Sequence, residues 1–167
     1  HASHSNAARA WAEGRLDRQV MTAHLPNGNT LKDDNLVRKQ SEREGYSKLK
    51  PVFDRETGSV TAGNSSPLTD GAGALLMMSE KKAAALGYTP LGYIRSYAFA
   101  ARTPQDDLLM GPVLAAPAAM TRAGLTLSDL TLVDMHEAFA GQVACNLRGL
   151  ADDDYVRSQT GLAALGE

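Results

Sequence analysis

The chain has 167 residues, 43% of them hydrophobic and 5% aromatic, with a formal net charge of −2 and a single cysteine. The length suffices for one domain with a sizeable core, while the near-neutral charge speaks against a general nucleic-acid binder, which carries a basic patch or stripe. No run of about 18 apolar residues exists to cross a membrane as a helix, and one cysteine cannot close an internal disulfide, so a reducing compartment is the simplest reading.

The first stretch, HASHSNAARAWAEG, reads as a helix over residues 3–16, closed near Gly14, with Ala7, Ala8, Ala10 and Trp11 spaced to share a face. VMTAHLPNG follows as a short extended run ended by the Asn27-Gly28 turn signal. Residues 33–49 are polar and mixed in charge, and read as a solvated excursion with a short helix around 38–44. Turn signals at Pro51, Gly58, Gly63 and Pro67 then frame two strands, 59–62 and 72–79. The second is almost continuously apolar, the pattern of a strand buried on both faces. Ser79 caps a helix, EKKAAALG, that ends at Gly87. LGYIRSYAFA is the next strand, with Tyr93, Arg95 and Tyr97 on one face and Ile94, Ser96 and Ala98 on the other. Residues 112–123 read as a helix ended by Gly124, residues 127–130 as a short turn, TLVDM as another buried strand, and HEAFAGQVACNLRGL as a helix. This order is an α/β layering. The final GLAALGE is helix-like, and both ends of the chain read as interior sequence, which predicts a segment of something longer, or else a processed chain.

His136, Glu137 and Cys145 bring together an imidazole, a carboxylate and a thiol, the parts of a nucleophilic enzyme. A zinc-protease helix needs His-Glu-x-x-His, and Ala140 stands where the second histidine belongs, so no metal is expected. If residues 136–147 form one helix, Cys145 lies about half a turn around and about 13 Å along the axis from His136, out of reach of the imidazole. Cys145 then reads as a small buried apolar residue. His136 and Glu137 remain at a strand-to-helix junction, the kind of place that lines ligand crevices. Small residues follow there (Ala138, Ala140, Gly141), and Phe139 offers an apolar wall. The plainer alternative is a helix start with an acidic first turn and a satisfied histidine. GNSSPLTDGAG is the second candidate. Ser66 can hydrogen-bond an amide-bearing ligand and Asp70 can orient a neighbour, the plainer alternative being a structural turn. It lacks the Gly-Lys-Ser/Thr ending of a P-loop.

In order and spacing, SKLKPVFD, GSVTAGNSSPLTDGAGALLMMSE, PLGYIRSYAFA and LTLVDMHEAFA resemble the thiolase family, over residues 4–150. HEAFA resembles the family's Asn-or-His-Glu-Ala-Phe element in the form typical of 3-ketoacyl-CoA thiolases of the fatty-acid oxidation complex β-subunit type. The resemblance implies an α/β, partial thiolase fold: a mixed sheet with helices on its faces, part of a layered αβαβα arrangement. Residues 1–50 would end a loop domain that approaches CoA, and residues 51–167 would begin the C-terminal half.

It also implies a reaction, thiolytic cleavage of a 3-ketoacyl-CoA by CoA in fatty-acid β-oxidation. His136 would be an oxyanion-hole donor, Ser66 would meet the pantetheine amide, Ala138 and Phe139 would line the pantetheine tunnel, and Lys48, Lys50 and Phe53 would lie where the loop domain approaches CoA. CoA is substrate, and no cofactor is implied. Family members carry their nucleophilic cysteine ahead of the part matched here and Gly-His-Pro and Cys-x-Gly elements after it. Cys145 aligns with neither family cysteine, so the chain is expected to be inactive alone. A biosynthetic acetyl-CoA acetyltransferase and a non-catalytic CoA-binding remnant are the alternatives. Implied partners are a second copy or higher oligomer and a hydratase–dehydrogenase α-subunit, and a bacterial cytoplasm or a mitochondrial matrix fits.

Overall fold

The computed structural model describes residues 1–162, so the helix-like GLAALGE expected at the end lies largely outside the described residues. The chain divides into two compact units, residues 1–63 and 64–167.

In the first unit, α1 (Ala2–Ala12) runs through the alanine-rich opening. Ala7, Ala8, Ala10 and Trp11 are all half-buried, as a shared face requires. Gly14 stops it in the left-handed conformation (φ 68°), its N–H donating to the carbonyl of Trp11. β1 (Ala23–His24) and β2 (Thr30–Leu31) pair antiparallel around the Asn27-Gly28 turn, where Gly28 adopts φ 82° and the Asn27 Oδ1 accepts from the Asn29 N–H. The short helix expected around 38–44 forms later, as α2 (Arg43–Tyr46). The segment before it is held instead by side chains. Asp34 accepts from the Leu36 N–H, and His4 Nδ1 on α1 accepts from the Arg38 N–H at 3.2 Å. Ser41 meets His1 at 3.3 Å and Tyr46 at 2.5 Å. Such local bonds compete with helix formation. The strand expected at 59–62 is absent; the Val52 N–H donates to the Val60 carbonyl and the Gly58 N–H to the Asp54 carbonyl, which close the loop there.

The second unit is organised by helices. Ser79 caps α3 (Glu80–Ala85) by accepting from the Lys82 N–H, and Gly87 (φ 72°) follows its end. After a 3₁₀ turn over Leu108–Met110, α4 (Gly111–Ala123) carries Pro112 in its first turn and stops at Gly124 (φ 65°), as its composition predicts. Thr126 and Asp129 form a capping box around a second 3₁₀ turn, Leu127–Asp129. The bonds from Thr126, its backbone N–H first, hold the Asp129 carboxyl below its usual range. α5 (Ala140–Ala151) and α6 (Asp153–Thr160) complete the unit. Sequence patterning does not foresee α6, whose exposed polar surface masks its one fully buried residue, Val156. Val113 and Pro117 of α4, Asn146 of α5 and Val156 of α6 are the largest fully buried side chains among the described residues.

Where α5 crosses α4, Gly149 lets the backbones approach. A Cβ there would stand 2.9 Å from Met110 Cε and 3.2 Å from Val113 Cγ2. The methionine end can swing away, but Val113 is fully buried and stiff at χ1. Gly149→Val is therefore expected to cost about 1–3 kcal/mol by overpacking, against a small gain in helix propensity. A urea titration followed by circular dichroism checks this as a lower midpoint at unchanged slope.

The three long strands expected in this unit are extended segments without a ladder. Over residues 72–79, Leu75 and Leu76 are more than three-quarters exposed, the opposite of a strand buried on both faces. In LGYIRSYAFA both Tyr93 and Ile94 are exposed although they belong to opposite faces, and in TLVDM so are Leu132 and Val133. The physical reason is that a strand is defined by its neighbour. Among the described residues the only ladder is β1–β2, and the one isolated bridge lies outside these runs.

Candidate functional site

The isolated bridge is where the two sequence candidates meet. Ser65 pairs antiparallel with Phe139, flanked by two backbone bonds: Ser66 N–H to the Ala138 carbonyl at 2.9 Å, and Ala140 N–H to the Asn64 carbonyl at 3.0 Å. This register sets Ser66 opposite Ala138 and Ser65 opposite Phe139, with successive side chains on alternate faces. GNSSP and HEAFA, separated by about seventy residues of chain, thus form one two-stranded patch. Ser66 is exposed on it, Ala138 and Phe139 are half-buried, and His136 is exposed two residues ahead of Ala138.

This pairing also moves the helix start. HEAFA was expected to open the helix, but Phe139 is extended (φ −143°, ψ 138°) and acts as N-cap, so α5 begins at Ala140. His136 and Glu137 precede the helix by several residues, and Glu137 is not a first-turn carboxylate. No side chain caps α5; its first amide is satisfied by the Asn64 carbonyl. Asn64 and Ala140 act through backbone atoms, which residue-type reasoning misses. The one available signal is that Ala140 follows an aromatic residue with no capping side chain. Among the described residues the imidazole of His136 makes no hydrogen bond or ion pair, which leaves its ring nitrogens available to a ligand.

Cys145 requires correction on two points. It is exposed, not buried, and the one-helix geometry that separated it from His136 does not hold, because His136 is not on α5. Cys145 opens instead onto a cleft of about 650 Å³ shared with Gln142, Arg148, Leu108, Met110 and Tyr155, which no histidine lines. The cleft was not foreseen, although Gln142, Cys145 and Arg148 recur at a three-residue spacing along one helix face.

Lys48, Lys50 and Phe53 lie in the first unit, between α2 and the loop around Asp54, and all three are exposed. Asp70 is exposed in the extended segment after Ser66. Among the described residues no three His, Cys, Asp or Glu side chains gather as a metal-ligand set, and no helix is long and apolar enough to cross a membrane.

An α/β segment with an exposed histidine at a strand-like junction, beside a serine-bearing loop, is the class of site that the second unit defines. Its relatives specify the class. The family model for the thiolase N-terminal domain matches residues 1–81 and that for the C-terminal domain matches residues 88–167. The chain belongs to the thiolase family, a family of acyltransferases, and its fold is an α/β, partial thiolase fold. A 3-ketoacyl-CoA thiolase of Pseudoalteromonas translucida is 56% identical over the whole chain, which covers 39% of that protein. Among solved structures, human mitochondrial 3-ketoacyl-CoA thiolase in complex with CoA is 34% identical with a TM-score of 0.77, over 99% of this chain and 41% of that one. The dimeric peroxisomal thiolase of Saccharomyces cerevisiae is 28% identical with a TM-score of 0.79, over 99% and 42%. The chain therefore spans about two-fifths of the length of these relatives.

Proposed function

We propose that the chain is part of a 3-ketoacyl-CoA thiolase that cleaves 3-ketoacyl-CoA with CoA in fatty-acid β-oxidation. The observation that carries this reading is the Ser65–Phe139 bridge, which sets the serine loop beside the histidine element in the second unit. Thiolysis develops negative charge on a carbonyl oxygen, and preorganised N–H donors stabilise it. His136, exposed and without a hydrogen-bond partner among the described residues, fills that role as an oxyanion-hole donor. Ser66 receives the pantetheine amide, while Ala138 and Phe139 line the pantetheine path. Lys48 and Lys50 supply positive charge, and Phe53 an apolar surface, for the approach of CoA.

The nucleophilic thiolate lies in another part of the same enzyme. Cys145 has no histidine in its cleft to activate it. CoA is the partner substrate, a second copy the expected assembly, and a hydratase–dehydrogenase subunit a further partner. The bacterial relative supports a cytoplasmic location. The test is chain-length kinetics on the polypeptide in which residues 1–167 are joined to the rest of a thiolase. The expected result is thiolysis with kcat/KM at least tenfold higher for long-chain 3-ketoacyl-CoA than for acetoacetyl-CoA. A preference for acetoacetyl-CoA would assign the chain to a biosynthetic acetyl-CoA acetyltransferase, and no turnover of either would leave a CoA-binding remnant.

A further inference from the structure

The bridge joining residues 64–66 to 138–140 consists of two backbone bonds, and one of them ends on an unusual donor. Ala140 is the first residue of α5, and its N–H belongs to the group of amides that a helix leaves without internal partners. A side chain normally serves these amides, yet the N-cap, Phe139, carries no hydrogen-bonding oxygen on its side chain, and the first turn has no acidic residue. The Asn64 carbonyl takes that place at 3.0 Å, from a segment distant in sequence. The start of α5 is thus fixed by the serine loop, and the serine loop by the start of α5.

We infer that Asn64 and Ala140 are positioning residues: through this N–H to carbonyl bond they fix the spacing between Ser66 and His136. The inference rests on the thiolase reading, in which one group holds CoA and the other stabilises the oxyanion. Ser66 is two residues from Asn64, and His136 is four residues before Ala140. With the Ala140 bond gone, one of the bridge's two backbone bonds remains, Ser66 N–H to the Ala138 carbonyl. Halving this backbone pairing loosens the register that the pair sets. Catalysis is sensitive to such misplacement, because a donor displaced by about 1 Å loses on the order of a hundredfold in rate.

Proline isolates the bond. At the first helical position its missing N–H costs the helix nothing and its fixed φ is preorganised for the helix, so Ala140→Pro removes the contact to Asn64 while leaving α5 intact. In the polypeptide that contains the rest of the thiolase, Ala140→Pro is expected to lower kcat at least tenfold with KM for the acyl-CoA changed less than threefold. Ala140→Ser, which keeps the N–H, should retain wild-type kcat. Equal kinetics in the proline and serine variants would overturn the inference, as would a fall in kcat that disappears on cooling with the thermal midpoint. Absence of turnover in the unmodified enzyme would instead overturn the thiolase reading itself.

A second measurement does not depend on the variant folding. In the unmodified protein the Ser66 and Ala140 amides should exchange with solvent deuterium at least tenfold more slowly than the Leu68 amide, and at matching rates. Exchange of either at the Leu68 rate would show that the bond does not hold the site.

Discussion

His136→Ala is expected to lower kcat of the thiolase that contains this chain by about 10²–10³-fold, the usual effect of removing one oxyanion-hole donor. The imidazole is exposed and makes no hydrogen bond or ion pair among the described residues, so its loss removes none of those contacts. The donor acts on charge that exists only near the transition state, so KM should change little while kcat and kcat/KM fall together. Steady-state kinetics with a 3-ketoacyl-CoA measure this, with the thermal midpoint as control. His136→Asn restores a side-chain N–H donor and should recover part of the loss. A decrease of less than threefold in the alanine variant would remove His136 from the oxyanion hole.

Residues 1–167 by themselves are expected to release no acetyl-CoA from any 3-ketoacyl-CoA, whereas Cys145→Ser in the larger polypeptide should leave kcat within twofold. Thiolysis needs a thiolate with a base close by. The chain has one thiol, placed midway along α5 in a cleft that offers Arg148 and Gln142 but no histidine. Five residues separate Cys145 from the start of α5, about 7.5 Å of rise, and the bridge lies beyond that start. Release of acetyl-CoA from the pure chain, or a large loss on Cys145→Ser, would make Cys145 the nucleophile and require a new mechanism.

These expectations draw on two kinds of information in the sequence. Local chemistry was legible wherever one residue type settles a backbone choice. Gly14, Gly87 and Gly124 stop helices with positive φ, Ser79 caps α3 with its own side chain, and Asn27-Gly28 turns the hairpin. Both candidate loops were also legible as segments of small and polar residues, and the resemblance to thiolases implied a chemistry for them.

What depends on neighbours was not legible. The apolar runs at 72–79, in LGYIRSYAFA and in TLVDM carry the strand pattern, but pairing requires a second strand, and the described residues provide none beside them. The burial assigned to Cys145 failed for a related reason: helix periodicity says which residues share a face, not whether anything covers it.

By itself, then, the sequence determined the helix stops and the hairpin turn, because these follow from side-chain and backbone chemistry within a few positions, while the family came from the resemblance of whole segments in order and spacing. The tertiary structure decided that α5 starts at Ala140 and not at His136. It also decided that Ser66 lies opposite Ala138, and that a carbonyl from Asn64 caps a helix with no capping side chain of its own. Each of these rests on a hydrogen bond between segments about seventy residues apart, and no local pattern encodes where such a bond will close.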